Sequence, residues 1–161
     1  MDPIFTYVVK EEIIRNVLRT HNNVLVVGWS GTGKSVSTIK AAKGQGEVYY
    51  YGAPGLNEGF PLSQYNDEAK ALTDLRDFDA VRTETSILII DGLNRLDGPG
   101  LALVRDMISD RSRPAKIILI APTLMDANAF LSHIDAVVRL KKETAEMTFT
   151  SLGDMGGTKG P

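Results

Sequence analysis

Hydrophobic and polar positions along this chain fall into two regimes. Short runs of nearly continuous apolar residues alternate with stretches in which apolar residues return every three or four positions. The first pattern marks a parallel strand buried on both faces, and the second marks one face of a helix. Lys10 to Arg19 reads as a short helix carrying Ile13, Ile14, Val17 and Leu18 on one side. The run from Asn23 to Gly28, NVLVVG, reads as the first strand. Helix-compatible sequence extends from about Gly33 to Lys43 and is stopped by Gly44-Gln45-Gly46. Glu47 to Tyr51 is rich in β-favouring aromatics and reads as the second strand. Gly52 to Ser63, with three glycines and two prolines, is too punctuated for regular structure. Asn66 to Phe78 is expected to be helical, with Ala69, Leu72 and Leu75 at helical spacing.

The second half repeats the alternation. Ser86 to Ile90 is a strand that runs into Asp91. Gly98-Pro99 opens a helix carrying Leu101, Leu103, Val104, Met107 and Ile108, with Pro99 suited to its first turn. Lys116 to Ala121 is strand four, Asp126 is expected to cap a short helix through Leu131, and Asp135 to Leu140 is strand five. Glu146 to Ser151 can add an antiparallel edge strand, and the glycine-rich residues 153–161 read as a flexible tail. The expected fold is therefore α/β: a three-layer sandwich whose mainly parallel, five-stranded sheet is covered by helices on both faces, one domain over residues 1–152. Ligands of such sheets sit beyond the carboxyl ends of the strands.

Composition narrows the chemistry. The 161 residues suffice for one buried core, and 43% hydrophobic with 24% charged residues is ordinary for a globular protein. There is no cysteine, which excludes disulfides and thiolate metal sites, and His21 and His133 alone do not make a multi-histidine zinc site. A net charge of −2 gives no global attraction to nucleic acid. No apolar run approaches the roughly 18 residues of a membrane span, and the N-terminus lacks the order of a secretory signal, so a cytoplasmic protein is expected.

The candidate chemistry gathers at the strand ends. Gly28-Trp29-Ser30-Gly31-Thr32-Gly33-Lys34-Ser35 fits G-x-x-x-x-G-K-[ST] in full, with a strand before it and a helix after it. Its glycines let backbone N–H groups turn inward around phosphates, and the following helix points its positive end at the same anion. The expected nucleotide contacts run from Gly28 through Val36. Lys34, standing exposed above the loop, would reach the β- and γ-phosphates of ATP, and Ser35 would offer its hydroxyl to Mg²⁺. Asp91 ends an apolar strand, where a carboxylate is costly without a partner, and magnesium held through a water would be one. Thr123, two residues past strand four, is positioned to orient the attacking water; a plain turn residue is the alternative. Trp29 can rest against a base or a neighbouring chain, whereas Tyr49 to Tyr51 read as strand packing.

With these motifs, Asn23 to Ser151 resembles the RecA-like and AAA-like branch of P-loop ATPases, in which a strand intervenes between the P-loop strand and the Asp-ended strand. ILIIDGLNRL is similar to the Asp-strand of RecA, the circadian clock ATPase and replicative helicases, and the order YYYGAPGLNEG … ILIIDGLNRL to hexameric packaging ATPases of double-stranded RNA phages. The resemblance implies ATP hydrolysis in an oligomer, with a glutamate at the end of the second strand or directly after the aspartate. This chain has Tyr51-Gly52-Ala53-Pro54 at the first position and Gly92 at the second. Glu58, in the loop after strand two, is the nearest substitute acid; a solvated loop charge is the alternative. The basic finger implied near the last strand is absent from Thr148-Phe149-Thr150-Ser151-Leu152, leaving Arg139, Lys141, Lys142, Arg111 and Arg113 as substitutes, with a plain surface charge the alternative for each.

Three functions follow as expectations. The first is a Mg-ATPase, slow alone and stimulated by a homo-oligomeric ring or a partner. The second is a nucleotide-binding switch or structural subunit without efficient turnover. The third is a small-molecule or nucleotide kinase, disfavoured because Pro122 to His133 holds no Arg or Lys for a phosphate lid. A GTPase is disfavoured by the absence of N-K-x-D.

Overall fold

A computed structural model describes residues 3–29, 32–54, 67–110, 115–142 and 145–149. The elements in chain order are α1 (Pro3–Thr20), β1 (Asn23–Val27), α2 (Lys34–Ala42), β2 (Glu47–Gly52), β3 (Lys70–Ala71), α3 (Arg76–Val81), β4 (Ser86–Asp91), α4 (Gly98–Ser109), β5 (Lys116–Ala121), β6 (Ala136–Leu140) and β7 (Ala145–Phe149). Short 3-10 segments cover Leu93–Arg95 and Leu124–His133. Helix α1 begins earlier than the sequence pattern indicates. Pro3 suits a first turn, but the β-branched and aromatic residues after it are poor helix formers, so the helical spacing becomes readable only near Lys10.

One sheet has the strand order β3-β2-β4-β5-β1-β6-β7. β5 therefore lies between β1 and β4, pairing in parallel with both through Leu25↔Leu119 and Ile89↔Ile118. Six strands are parallel, and β7 closes the far edge antiparallel to β6. All residues of β1 and β4 are buried, as their unbroken apolar runs require.

Because side chains alternate across a strand, each strand feeds two cores. Val24, Val26, Ile87, Ile89, Ile118 and Ile120 face one side and meet Ile14, Val17 and Leu18 of α1 and Ile39 and Ala42 of α2. Leu25, Val27, Leu88, Ile90 and Leu119 face the other, against Phe78 of α3, Val104 and Met107 of α4 and Phe130 of the longer 3-10 segment. The layers are helix, sheet, helix.

Two local expectations are corrected. Asn66 to Phe78 is not one helix: Lys70–Ala71 pairs with β2, and α3 starts only at Arg76. Ala69 is buried in the α1/α2 core and Leu75 in the opposite core, so a single helical stripe cannot satisfy both. Asp74 starts α3 by accepting the Arg76 backbone N–H at 2.9 Å. The sheet accordingly has seven described strands instead of five, β3 being the unexpected one and β7 the expected edge strand. After β5, the cap is Thr123, with Asp126 as the reciprocal half of a capping box. The tail and the loop at 55–66 lie outside the described residues.

Candidate nucleotide site

The loop between β1 and α2 is shaped by close packing. A Cβ on Gly28 would lie 2.6 Å from the Leu140 carbonyl oxygen and 2.8 Å from Thr32 Oγ1, so only glycine lets the chain leave β1 against β6. The Thr32 hydroxyl donates to the Trp29 carbonyl at 2.8 Å, tightening the turn. Gly33 has a φ of 80°, in the left-handed region that glycine enters freely, and α2 begins directly after it. Ser30 and Gly31 lie outside the described residues. Val36 is half-buried in the first turn of α2.

Lys34 does not stand exposed as expected. It is half-buried, and its ammonium folds back to donate to the carbonyls of Gly28 at 2.7 Å and Trp29 at 3.1 Å. Burial lowers the Lys34 pKa, while the charge of Asp91 acts in the opposite direction.

Asp91, 4% exposed at the carboxyl end of β4, is the centre of the polar cluster. Its Oδ2 accepts from the hydroxyl of Ser35 on α2 and from the hydroxyl of Tyr50 on β2 at 2.5 Å. Burial raises the Asp91 pKa above the ordinary carboxylate range, against the lowering effects of Ser35, Tyr50 and the Lys34 charge. Burial, then the Asp91 charge, pushes the Tyr50 phenol up, so Tyr50 keeps its proton and donates it. Gly92 follows with a φ of 86°, a conformation that would strain a glutamate or any other residue with a Cβ.

A cavity of about 500 Å³ opens beside the loop, at the carboxyl ends of β1, β5 and β6. Trp29, Thr123, Arg139, Lys141 and Lys142 line it, and among the described residues no carboxylate does. Trp29 is 76% exposed, unclaimed by the chain's own core. Thr123 reaches the cavity, but its hydroxyl donates to Asp126 Oδ2 at 2.9 Å, which commits its proton to the cap. Glu58, Arg111 and Arg113 lie outside the described residues.

Two residues of this neighbourhood escaped the sequence reading. Tyr50 reads from the sequence as packing only; it is fully buried, yet its hydroxyl reaches Asp91 because β2 and β4 are parallel neighbours with Gly52 opposite Asp91. Lys10 is 2% exposed, and its Nζ donates to the Thr32 carbonyl at 2.8 Å and the Lys142 carbonyl at 3.0 Å. A signal for it existed: Lys10 precedes Ile14 and Val17 at helical spacing, which puts the charge on the buried stripe.

No protein-family model matches the chain, and no curated protein matches it either. The functional reading therefore rests on residues and geometry.

Proposed function

We propose that this chain binds a magnesium–nucleoside triphosphate, ATP in the first instance, through the loop from Gly28 to Val36. Hydrolysis to ADP and phosphate follows, slow in the single chain and faster in a homo-oligomeric ring or with a partner. The observation that carries this reading is the hydrogen bond from Ser35 to Asp91, which joins a hydroxyl and a carboxylate 56 residues apart at the mouth of the loop. Two hard oxygen donors fit magnesium, which takes few protein ligands and fills its remaining positions with phosphate oxygens and water. Among the described residues there is no cluster of three acidic or histidine side chains, and a nucleotide-borne magnesium needs none.

Ser35 would hold the ion directly and Asp91 through a water, and the ion supplies charge neutralisation across the β- and γ-phosphates. Lys34 would exchange the carbonyls of Gly28 and Trp29 for phosphate oxygens, trading neutral acceptors for charged ones. The first turn of α2 contributes its unpaired N–H groups. The position of β5 between β1 and β4 supports the RecA-like and AAA-like resemblance. The cavity is of a size that takes a base and ribose, with Trp29 at its wall and Arg139, Lys141 and Lys142 supplying positive charge.

The switch without efficient turnover has one observation in its favour: among the described residues no carboxylate lines the cavity, and the Thr123 proton is committed. Glu58 is the acid proposed for water activation, a role worth roughly 10²–10⁴-fold. Calorimetry with Mg-ATP tests binding, and ATP turnover measured across protein concentrations tests the enzyme. Specific activity that rises with concentration and falls in Glu58→Gln, at little change in affinity, supports the ATPase. Binding without turnover at any concentration selects the switch, and absence of Mg-ATP binding defeats both.

A further inference from the structure

Lys10 and Asp91 are the two charged residues buried among those described. Asp91 has an assigned role; Lys10 has none, although it sits on the stripe of α1 that Ile14 and Val17 bury against the sheet and α2. Both acceptors of its ammonium are main-chain carbonyls, and among the described residues no carboxylate pairs with it. Burying an ammonium is unfavourable unless its partners compensate, and a methionine would fill the same stripe without that cost. A charge held in such a place calls for an explanation in what it touches.

One of the two carbonyls belongs to Thr32, inside the phosphate loop. In a planar trans peptide, the carbonyl of one residue and the N–H of the next point in opposite directions. Holding the Thr32 carbonyl inward therefore turns the Gly33 N–H away from the buried ammonium. The φ of 80° at Gly33 then carries the chain from that peptide into α2. The second carbonyl, of Lys142, lies just after β6 in the segment that lines the cavity.

We propose that Lys10 is a positioning residue for phosphate binding: its ammonium fixes the Thr32–Gly33 peptide so that the Gly33 N–H is offered to a polyphosphate, and it ties that peptide to the cavity wall at Lys142. This rests on the phosphate-loop reading and adds to it a group on a helix that precedes the loop by more than a strand. Lys10 touches no ligand; it sets the direction of a donor that does. Loss of its ammonium frees the peptide to flip, which turns a donor into an acceptor facing the phosphates.

The test uses Mg-tripolyphosphate as the probe, because it reports the loop without the base. Lys10→Met should weaken its binding about tenfold in folded protein. The chain has no cysteine, so Lys10→Cys carries a single thiol that can be aminoethylated in denaturant before refolding. That product regains an ammonium at lysine length and should regain the affinity, whereas a merely structural loss would track the melting temperature and leave folded-state affinity unchanged. Wild-type affinity in folded Lys10→Met overturns the proposal. A measurement on the wild type stands whether or not the variants fold: adding Mg-tripolyphosphate should shift the Gly33 amide proton downfield and protect it from exchange. An unmoved, unprotected Gly33 amide in protein that binds the probe overturns the proposal while the phosphate-loop reading survives. Wild-type protein that binds neither the probe nor Mg-ATP ends both.

Discussion

The two ends of the sheet treat buried polarity differently. At the amino end, Asn23 donates through its amide to the carbonyls of Ile108 and His133, both at 2.9 Å. Asp135 accepts the backbone N–H groups of Asn22 and Asn23, and Lys116 donates to the carbonyls of Leu18 and His21. These bonds tie the starts of β1, β5 and β6 to the ends of α1 and α4. At the carboxyl end, two hydroxyls converge on one oxygen of Asp91, and Lys34 is held by carbonyls that a phosphate would outbid. The first arrangement serves the folded chain alone. The second gathers its polar contacts on one carboxylate and one ammonium, and it keeps Asp91 buried against the preference of a carboxylate for water.

The sharpest way to break this contrast is Lys34→Ala. If the carboxyl end is a ligand site, the variant should melt close to wild type and lose about 100-fold in Mg-ATP affinity, about 2.7 kcal/mol. Near-native affinity by calorimetry in the folded variant would remove Lys34 from the site. At the other end, Asn23→Leu should show the reverse. It keeps the branched shape, with somewhat more bulk, but leaves the carbonyls of Ile108 and His133 without that donor, which costs about 2 kcal/mol of stability. Urea melts read the loss, and Mg-ATP affinity of the folded variant should not move. A binding defect in Asn23→Leu would mean that the two ends are not separable.

Features set by local pattern were legible in the sequence and features set by distant pairings were not, for a physical reason. Strands β1, β4 and β5 announce themselves because burial on both faces demands unbroken apolar runs, and that demand is local. The loop from Gly28 to Ser35 carries a local signal in its spacing of glycines and lysine, but the contact that bars a Cβ at Gly28 is with the distant Leu140 carbonyl. The stretch from Ala69 to Leu75 was not, because its three-residue spacing of apolar positions fits a helix as well as a chain that crosses from one core to the other. Tyr50 and Lys10 depend on pairings between distant segments. Nothing near Tyr50 in sequence states that Asp91 lies across the β2–β4 boundary, and nothing near Lys10 names Thr32.

Asp91→Asn sharpens the contrast with a smaller effect of mixed sign. Asparagine can still accept from Ser35 and Tyr50 through its amide oxygen while the burial cost of the charge disappears. The nucleotide-free variant should melt slightly higher, by roughly 2 °C. Nucleotide binding should largely survive but lose its dependence on magnesium, because the lost charge acts through the ion. An unchanged magnesium titration would assign the role to another carboxylate, and a lower melting temperature would show that the carboxylate stabilises the empty site.

The smallest expected effect concerns Lys10, whose burial lowers its pKa below the ordinary 10.5. Between that lowered value and 10.5, the folded chain has already released a proton that the unfolded chain still binds. Stability rises with pH wherever the unfolded state binds more protons, so the cost of the buried ammonium is fully present below the lowered pKa and fades as pH climbs through it. Lys34 and Lys116 are lowered in the same way by burial, and the raised Tyr50 acts in the opposite sense, so wild type alone cannot isolate the effect. The difference in unfolding free energy between wild type and Lys10→Met can, since the other groups titrate in both. That difference should move in favour of wild type as pH rises toward 10.5, with a slope that cannot exceed about 1.4 kcal/mol per pH unit. A flat difference across this window would mean that Lys10 titrates alike in the folded and unfolded chains, and that its two carbonyl partners offset its burial in full.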